Sequence, residues 1–106
     1  MSNFYPEDLD LEPECGVTDI SLRNGEKLIK KFGCPTTVSG IKNGSEYVLH
    51  IGWNESPIGF NLTGFSWGYN GTGSNGLVKF LTSCGFDINI DKVASMDSKI
   101  GFKLGE

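Results

Sequence analysis

The chain has 106 residues, of which 38% are hydrophobic and 21% are charged, and its formal net charge is −4. This length suits a single globular domain with one modest core. Because no apolar stretch approaches the roughly 20 residues of a membrane-spanning helix, and the acidic start lacks a basic and apolar leader, we expect a cytoplasmic protein with no membrane partner.

The charge is unevenly distributed along the chain. Residues 1–15 contain five acids and no base, whereas residues 16–106 contain eight acids and nine bases, with Arg23 as the single arginine. A nearly neutral body lacks the clustered basic surface from which nucleic-acid binding draws its affinity, so we expect no nucleic-acid partner. We interpret residues 1–15 as an acidic, poorly ordered arm and residues 16–106 as the folded domain. Docking of the arm on a basic protein surface is the alternative.

The cysteines and the histidine do not form a recognisable chemical motif. Cys15, Cys34 and Cys84 are odd in number and lack C-x-x-C spacing, and His50 is the single histidine. We therefore expect reduced, structural thiols, no metal site and no cofactor.

The first regular structure is predicted around Asn24-Gly25. This pair favours a two-residue turn, which predicts a hairpin of residues 19–23 and 26–30. The alternative is a short helix that runs to Phe32 and stops at Gly33. The hairpin fits marginally better.

A second hairpin is predicted more clearly, with residues 36–40 and 45–53 joined across Lys42-Asn43-Gly44. In its second strand, apolar residues at odd positions alternate with other residues, so the odd positions should face the core. These core-facing residues are Tyr47, Leu49, Ile51 and Trp53.

Turn residues at 54–57 end that strand, and an aromatic-rich extended region follows, in which Gly64 is expected to mark a bulge. The residues of this region are Phe60, Leu62, Phe65, Trp67 and Tyr69.

A short amphipathic helix is predicted next, because apolar residues recur at helical spacing from Leu77 to Cys84. Ser74 is its expected N-cap, and Gly85 is placed to end it. Residues 87–91 and 99–104 are then predicted to form strands. The predicted architecture is an α+β fold, a small antiparallel sheet packed against one short helix. A partly uncovered sheet face in so short a chain predicts a homo-oligomer.

The glycine-rich turn before the helix is the strongest indication of a ligand. Gly71, Gly73 and Gly76 fit the pattern G-x-G-x-x-G, in which backbone amides at a helix amino end hold a phosphate. In this interpretation Trp67 or Tyr69 stacks on a base, and Lys79 reaches back to the anion. The candidate ligand-binding residues are Trp67, Tyr69, Asn70, Gly71, Thr72, Gly73, Ser74, Asn75 and Lys79. The alternative is that the glycines serve tight packing beneath an aromatic cluster.

Catalysis is not expected. His50 falls on the strand face opposite the apolar residues, and no Ser or Cys nucleophile has a partner implied by its spacing. We therefore assign no catalytic residues and no enzymatic activity.

Two segments resemble a known family. S-P-I-G-F at residues 56–60, and above all F-S-W-G-Y-N-G-T-G at residues 65–73 before an apolar helix, resemble small uncharacterised proteins of phages and mobile elements, whose hallmark is W-G-Y-G-G-S-G-P. Asn70, Thr72 and Ser74 replace a glycine, the serine and the proline of that motif. The resemblance carries no established activity, and it covers about a quarter of the chain.

The resemblance implies a context, because phages commonly use short acidic proteins to disarm host defences. The functional hypothesis is a non-catalytic, phage-type counter-defence protein that binds or sequesters a small phosphorylated, nucleotide-like ligand. The alternative is a protein inhibitor, similar in role to an anti-CRISPR, that docks on a bacterial defence complex through the acidic arm and exposed aromatic residues.

Overall fold

A four-stranded antiparallel sheet is the central element of the fold. The computed structural model describes residues 11–54, 59–97, 99 and 101–105, so most of the predicted turn at 54–57 lies outside the described residues. In chain order the elements are helix α1 (Thr18–Phe32), strands β1 (Thr37–Asn43), β2 (Glu46–Gly52) and β3 (Gly59–Leu62), helices α2 (Thr72–Ser83) and α3 (Ile90–Ala94), and strand β4 (Phe102–Gly105). The strand order is β3-β2-β1-β4.

The core lies between one face of the sheet and the helices. Val38, Leu49, Ile51 and Leu62 come from the sheet, and Leu28, Leu77, Leu81 and Val93 come from the helices; all are at most 1% exposed. The predicted α+β class is confirmed, although the described residues contain three helices where the sequence predicted one. No helix in the described ranges is both long and apolar enough to cross a bilayer.

The hairpin of β1 and β2 follows the predicted pattern. Its register runs from Thr37 opposite Gly52 to Asn43 opposite Glu46, and Gly44 in the turn has a φ of +66°. Leu49 and Ile51 are buried while His50 is exposed, so the odd positions of β2 face the core as expected.

The first predicted hairpin is wrong, because residues 18–32 form one continuous α-helix. Asn24 and Gly25 lie in its middle and are buried, not at a turn. A Cβ atom on Gly25 would come within 2.5 Å of the Phe80 ring, so the glycine is needed for close packing of α1 on α2. Contacts with distant parts of the chain override the turn preference of the Asn-Gly pair.

The acidic segment is fixed to α1 from residue 11 onward, and the remainder of the predicted arm, residues 1–10, lies outside the described residues. The side chain of Asn24 accepts a bond from the Glu12 N–H at 2.9 Å and donates to the Glu12 carbonyl at 2.8 Å. The Glu14 carboxylate accepts bonds from Ser21 Oγ, Asn24 Nδ2 and the Thr63 N–H. Residues 11–14 therefore pack as part of the domain.

The later elements depart from the prediction in two places. Only residues 59–62 of the aromatic-rich region form a strand, and residues 63–71 run as an irregular loop to α2. The predicted strand at 87–91 is wrong, because Asn89 accepts a bond from the Lys92 N–H at 2.9 Å and caps helix α3. The predicted strand at 99–104 overlaps β4, which begins three residues later and ends one residue later.

Candidate functional site

The loop of residues 63–71 carries four of the nine candidate binding residues, the other five lie in α2, and helices on both sides hold the loop in place. Thr18 Oγ1 donates to the Gly64 carbonyl at 2.6 Å, and the Gly64 N–H donates to Ser21 Oγ at 2.8 Å. Farther along, the Gly68 N–H donates to the Val93 carbonyl at 3.0 Å. Gly64 is thus a point of close approach to α1, where it was predicted to mark a bulge.

Trp67 lies in the core and is 0% exposed. Its ring meets Tyr47 and Phe102 edge to face, with centroid separations of 4.8 Å and 4.9 Å. A ring enclosed in this way has no face free for a ligand, so the predicted stacking of Trp67 on a base is contradicted. Its Nε1 is buried without a hydrogen-bond partner among the described residues.

The glycine turn uses several of its own polar groups internally. The Asn75 N–H donates to the Gly71 carbonyl at 2.9 Å, and its side-chain amide donates to Gly71 O at 2.8 Å and to Asn70 Oδ1 at 3.0 Å. Tyr69 packs over Gly71, where a Cβ atom would come within 2.7 Å of the ring. Because its main-chain N–H is bonded inside the turn, Asn75 cannot offer that group to an anion, contrary to the prediction.

Gly73 and Ser74 are packing residues. Ser74 is fully buried inside α2, and its hydroxyl donates to the Tyr69 carbonyl at 2.5 Å. The α-carbon of Gly73 lies against Ser66, leaving no room for a Cβ atom. Helix α2 begins after Gly71, so Ser74 is not its N-cap as predicted. These contacts match the alternative that the glycines allow tight packing.

The first turn of α2 keeps some free donors. The backbone N–H groups of Thr72, Gly73 and Ser74 have no acceptor within the described part of the chain, as is usual at the start of a helix. Thr72 itself is exposed. The positive end of the helix dipole is therefore accessible near Thr72.

Lys79 is not brought to the glycine turn. It lines a separate groove of about 530 Å³ between α1 and α2, together with Leu22, Ile29 and Phe80. The structure thus separates one of the nine predicted binding residues from the turn and buries another, Trp67, in the core.

A cavity of about 420 Å³ adjoins the amino end of α2, and we call it the amino-end cavity. It is lined by Gly16, Thr18, Ser45, Glu46, Tyr47, Thr63, Gly64, Phe65, Ser66, Tyr69 and Gly73. Among these lining residues Glu46 is the one acid, and none is basic. Tyr69, at the edge of the cavity, is 50% exposed. Val17, which lies between the lining residues Gly16 and Thr18 in the sequence, is also exposed. Sequence reasoning found Tyr69 and Gly73 but missed Glu46, because nothing local marks a hairpin residue as part of a cavity.

Three ionisable groups have a shifted pKa. Hydrogen bonds between Arg23 and Glu12 lower the pKa of Glu12 below its ordinary value and raise the pKa of Arg23 above its own, and burial raises the pKa of the Cys84 thiol to about 12. None of the three lines the amino-end cavity. His50 lies on the open face of the sheet with Nδ1 2.8 Å from Asn61 Oδ1. The described residues contain no cluster of three or more potential metal ligands.

Comparisons with protein-family models, with curated proteins and with solved structures gave no match to this chain.

Proposed function

We propose that this chain is a non-catalytic binding protein that docks on a basic segment of another protein through the amino-end cavity. The observation that carries the proposal is the half-exposed Tyr69 beside a cavity in which Glu46 is the one charged lining residue. Exposed tyrosines next to concave surfaces are common centres of binding energy in protein interfaces.

The chemistry of the cavity favours a cationic side chain. An arginine guanidinium stacks on an aromatic ring and pairs with a carboxylate, so Tyr69 and Glu46 together form a suitable acceptor. Lys42 already lies over the Tyr47 ring, with Nζ 5.2 Å from the centroid, which leaves Tyr69 as the ring available to a partner. The net charge of −4 favours the approach of a basic protein over long distances.

The biological class of the partner rests on the resemblance of residues 65–73 to a phage family. That resemblance supports a counter-defence role in which this chain acts in the host-cell cytoplasm as an inhibitor of a bacterial defence protein. Binding alone is sufficient for such a role, because capping a functional surface blocks it without chemistry.

Capture of a small phosphorylated ligand is a second candidate function. The free amides of Thr72, Gly73 and Ser74 favour it, since a helix amino end attracts anions. Against it, the adjacent cavity contains Glu46 and no basic lining residue, and Trp67 is enclosed in the core. Protein docking therefore has the stronger support.

The primary experiment is an NMR titration with blocked arginine amide, using blocked citrulline amide as the uncharged control. We expect the arginine probe to shift the backbone amides of Tyr69, Gly73 and Thr63, and the citrulline probe to shift them much less. Tyr69→Ala and Glu46→Gln should each weaken binding about 5- to 50-fold, from the loss of one cation–π or ionic contact.

Ile41→Ala is the matched control. Ile41 is an apolar residue of the β1–β2 hairpin, which also carries Glu46, and it is 59% exposed on the sheet face that the helices do not cover. Equal responses to arginine and citrulline, or equal losses in the Ile41 and Tyr69 variants, would refute the docking proposal. Calorimetric titration with a panel of nucleotides tests the second candidate separately, and binding heat that survives Glu46→Gln would favour it.

A further inference from the structure

The fold brings two cysteines, distant in the sequence, to the same end of the helix pair. Cys34 follows the end of α1, and Cys84 is the C-cap of α2. The Cys34 thiol donates to the carbonyl of Ser83, the residue directly before Cys84, over an S···O distance of 3.7 Å. All three cysteines of the described chain are free thiols in this structure.

The helix packing explains why these ends coincide. Thr18, in the first turn of α1, lies against Gly76 of α2, and Gly25, farther along α1, lies against Phe80. The two helices therefore run side by side in the same direction, and their carboxyl ends meet at Cys34 and Ser83. Cys15 is at the opposite end of α1, where the neighbouring Gly16 N–H donates to Thr63 Oγ1.

We propose that Cys34 and Cys84 form a reversible intramolecular disulfide when the protein meets a low-molecular-weight disulfide, and that this bond pins the end of α1 to the end of α2. The inference goes beyond the proposed docking function and does not rest on it. It identifies a covalent modification site at the end of the groove between the two helices, of which Ser83 is a lining residue.

The reaction proceeds by two thiol–disulfide exchanges. The exposed Cys34 thiolate attacks one sulfur of the oxidant RSSR, so that a Cys34–SR bond forms and RS⁻ leaves. Cys84 loses its proton to solvent and attacks the Cys34 sulfur, which releases the second RS⁻. Two protein thiols are oxidised, and RSSR is reduced to two RSH. Burial keeps nearly all of Cys84 protonated, so the exposed Cys34 attacks first, and Cys84 resolves the intermediate through its small deprotonated fraction.

The test treats the reduced, folded protein with oxidised glutathione and maps the products by peptide mass spectrometry. We expect a Cys34–Cys84 linkage, with the loss of two hydrogens, and glutathione only on Cys15. The chain unfolded in denaturant is the reference, because there the shorter loop favours linkage of Cys15 to Cys34. A native product pattern equal to that of the unfolded chain would overturn the proposal.

Three variants separate the steps. Cys84→Ala should trap one glutathione on Cys34, Cys34→Ser should leave Cys84 unmodified, and Cys15→Ser should leave the linkage unchanged. If Cys84→Ala does not fold, the maps of the natural chain and of Cys15→Ser decide alone, and a stable glutathione adduct on Cys34 in either one would refute the linkage.

The melting temperature tests whether the disulfide holds the ends of α1 and α2 together. The linked protein should melt roughly 10 °C higher than the reduced protein, since the cross-link restricts the unfolded chain. The increase should disappear on reduction. An unchanged or lower melting temperature would contradict pinning of the helix ends.

Discussion

Asn24 is the residue on which the packing of the N-terminal segment depends. It is 1% exposed, and its amide pairs with both backbone polar groups of Glu12 and with the Glu14 carboxylate. The Asn24 side chain thus supplies the hydrogen bonds that hold residues 12–14 against α1.

Replacing Asn24 with alanine should lower the free energy of unfolding by about 2–3 kcal/mol, because buried polar groups lose their partners. Urea denaturation measures the change. Asn75→Ala is the control, since Asn75 also lies in a helix and makes hydrogen bonds but is exposed, so its loss should be below about 1 kcal/mol. Similar losses in both variants would show that Asn24 does not anchor the segment.

The Glu12–Arg23 pair should make stability depend on acidic pH. Arg23 donates two bonds to the Glu12 carboxylate, at 2.6 Å and 2.8 Å, and these lower its pKa in the folded state. A lowered folded-state pKa means that the stabilisation is present above the ordinary value of 4.5 and is lost as pH falls through the folded value.

In Arg23→Gln the pKa of Glu12 should return toward its ordinary value, and the acid-dependent part of the stability should shrink. An NMR titration of the Glu12 carboxyl carbon measures the pKa directly. Lys30→Gln, an exposed cation on the same helix, serves as the control for the change in net charge. A Glu12 pKa unchanged by Arg23→Gln would contradict this account.

At the scale of elements, α1 exists because of what it packs against. Asn24-Gly25 prefers a turn when considered locally, but Gly25 lies under the Phe80 ring, which itself stacks on Phe65 at a centroid separation of 5.5 Å. Phe80 is 2% exposed, so it has little room to move away from an added atom.

Gly25→Ala should therefore destabilise the protein by about 1–3 kcal/mol, although alanine favours an exposed helix by about 1 kcal/mol. The double variant Gly25→Ala with Phe80→Leu should be less destabilised than the sum of its single variants, because the smaller side chain relieves the clash. Denaturant unfolding of the four proteins measures this coupling. A stabilised single variant would show that α1 and α2 separate more easily than their packing indicates.

At the scale of the whole molecule, the helices cover one face of the sheet and leave the other open. The open face is polar at its centre, where His50 of β2 contacts Asn61 of β3. Lys103 of β4, two strands from β2, is also exposed. Strand β4 pairs with β1 along one edge, and its other edge has no strand partner among the described residues. An unpaired edge strand is a common route to self-association.

The homo-oligomer stays a prediction, and native mass spectrometry over a dilution series tests it. We expect a dimer or larger assembly at micromolar concentration that dissociates on dilution, since the short edge of β4 offers few backbone bonds. The same spectrum reports any small molecule retained by the folded protein. A monomer at every concentration would contradict self-association, and the open face would then be simply solvated.

The amount that the sequence predicted differs from element to element. The β1–β2 hairpin was predictable because successive side chains of a strand point to opposite faces of the sheet. Apolar residues at every second position of β2 are therefore a local signal of a strand with one buried face. The start of α2 was misplaced by three residues, because Ser74 resembles an N-cap but is buried on the Tyr69 carbonyl. In the candidate site, Tyr69 and Gly73 were predicted and do line a cavity, whereas Trp67 and Lys79 were assigned roles that their positions do not permit.

The sequence by itself determined the α+β class, the core face of β2 and the place of the glycine-rich turn at the start of a helix. These features follow from side-chain periodicity and backbone preference, which act over a few residues. Only the tertiary structure decided that Asn24-Gly25 lies inside a helix, that Trp67 is enclosed, and that Glu46 joins Tyr69 at one cavity. Each of these depends on contacts between residues distant in the chain, and their packing and hydrogen-bond energies outweigh the smaller local preferences.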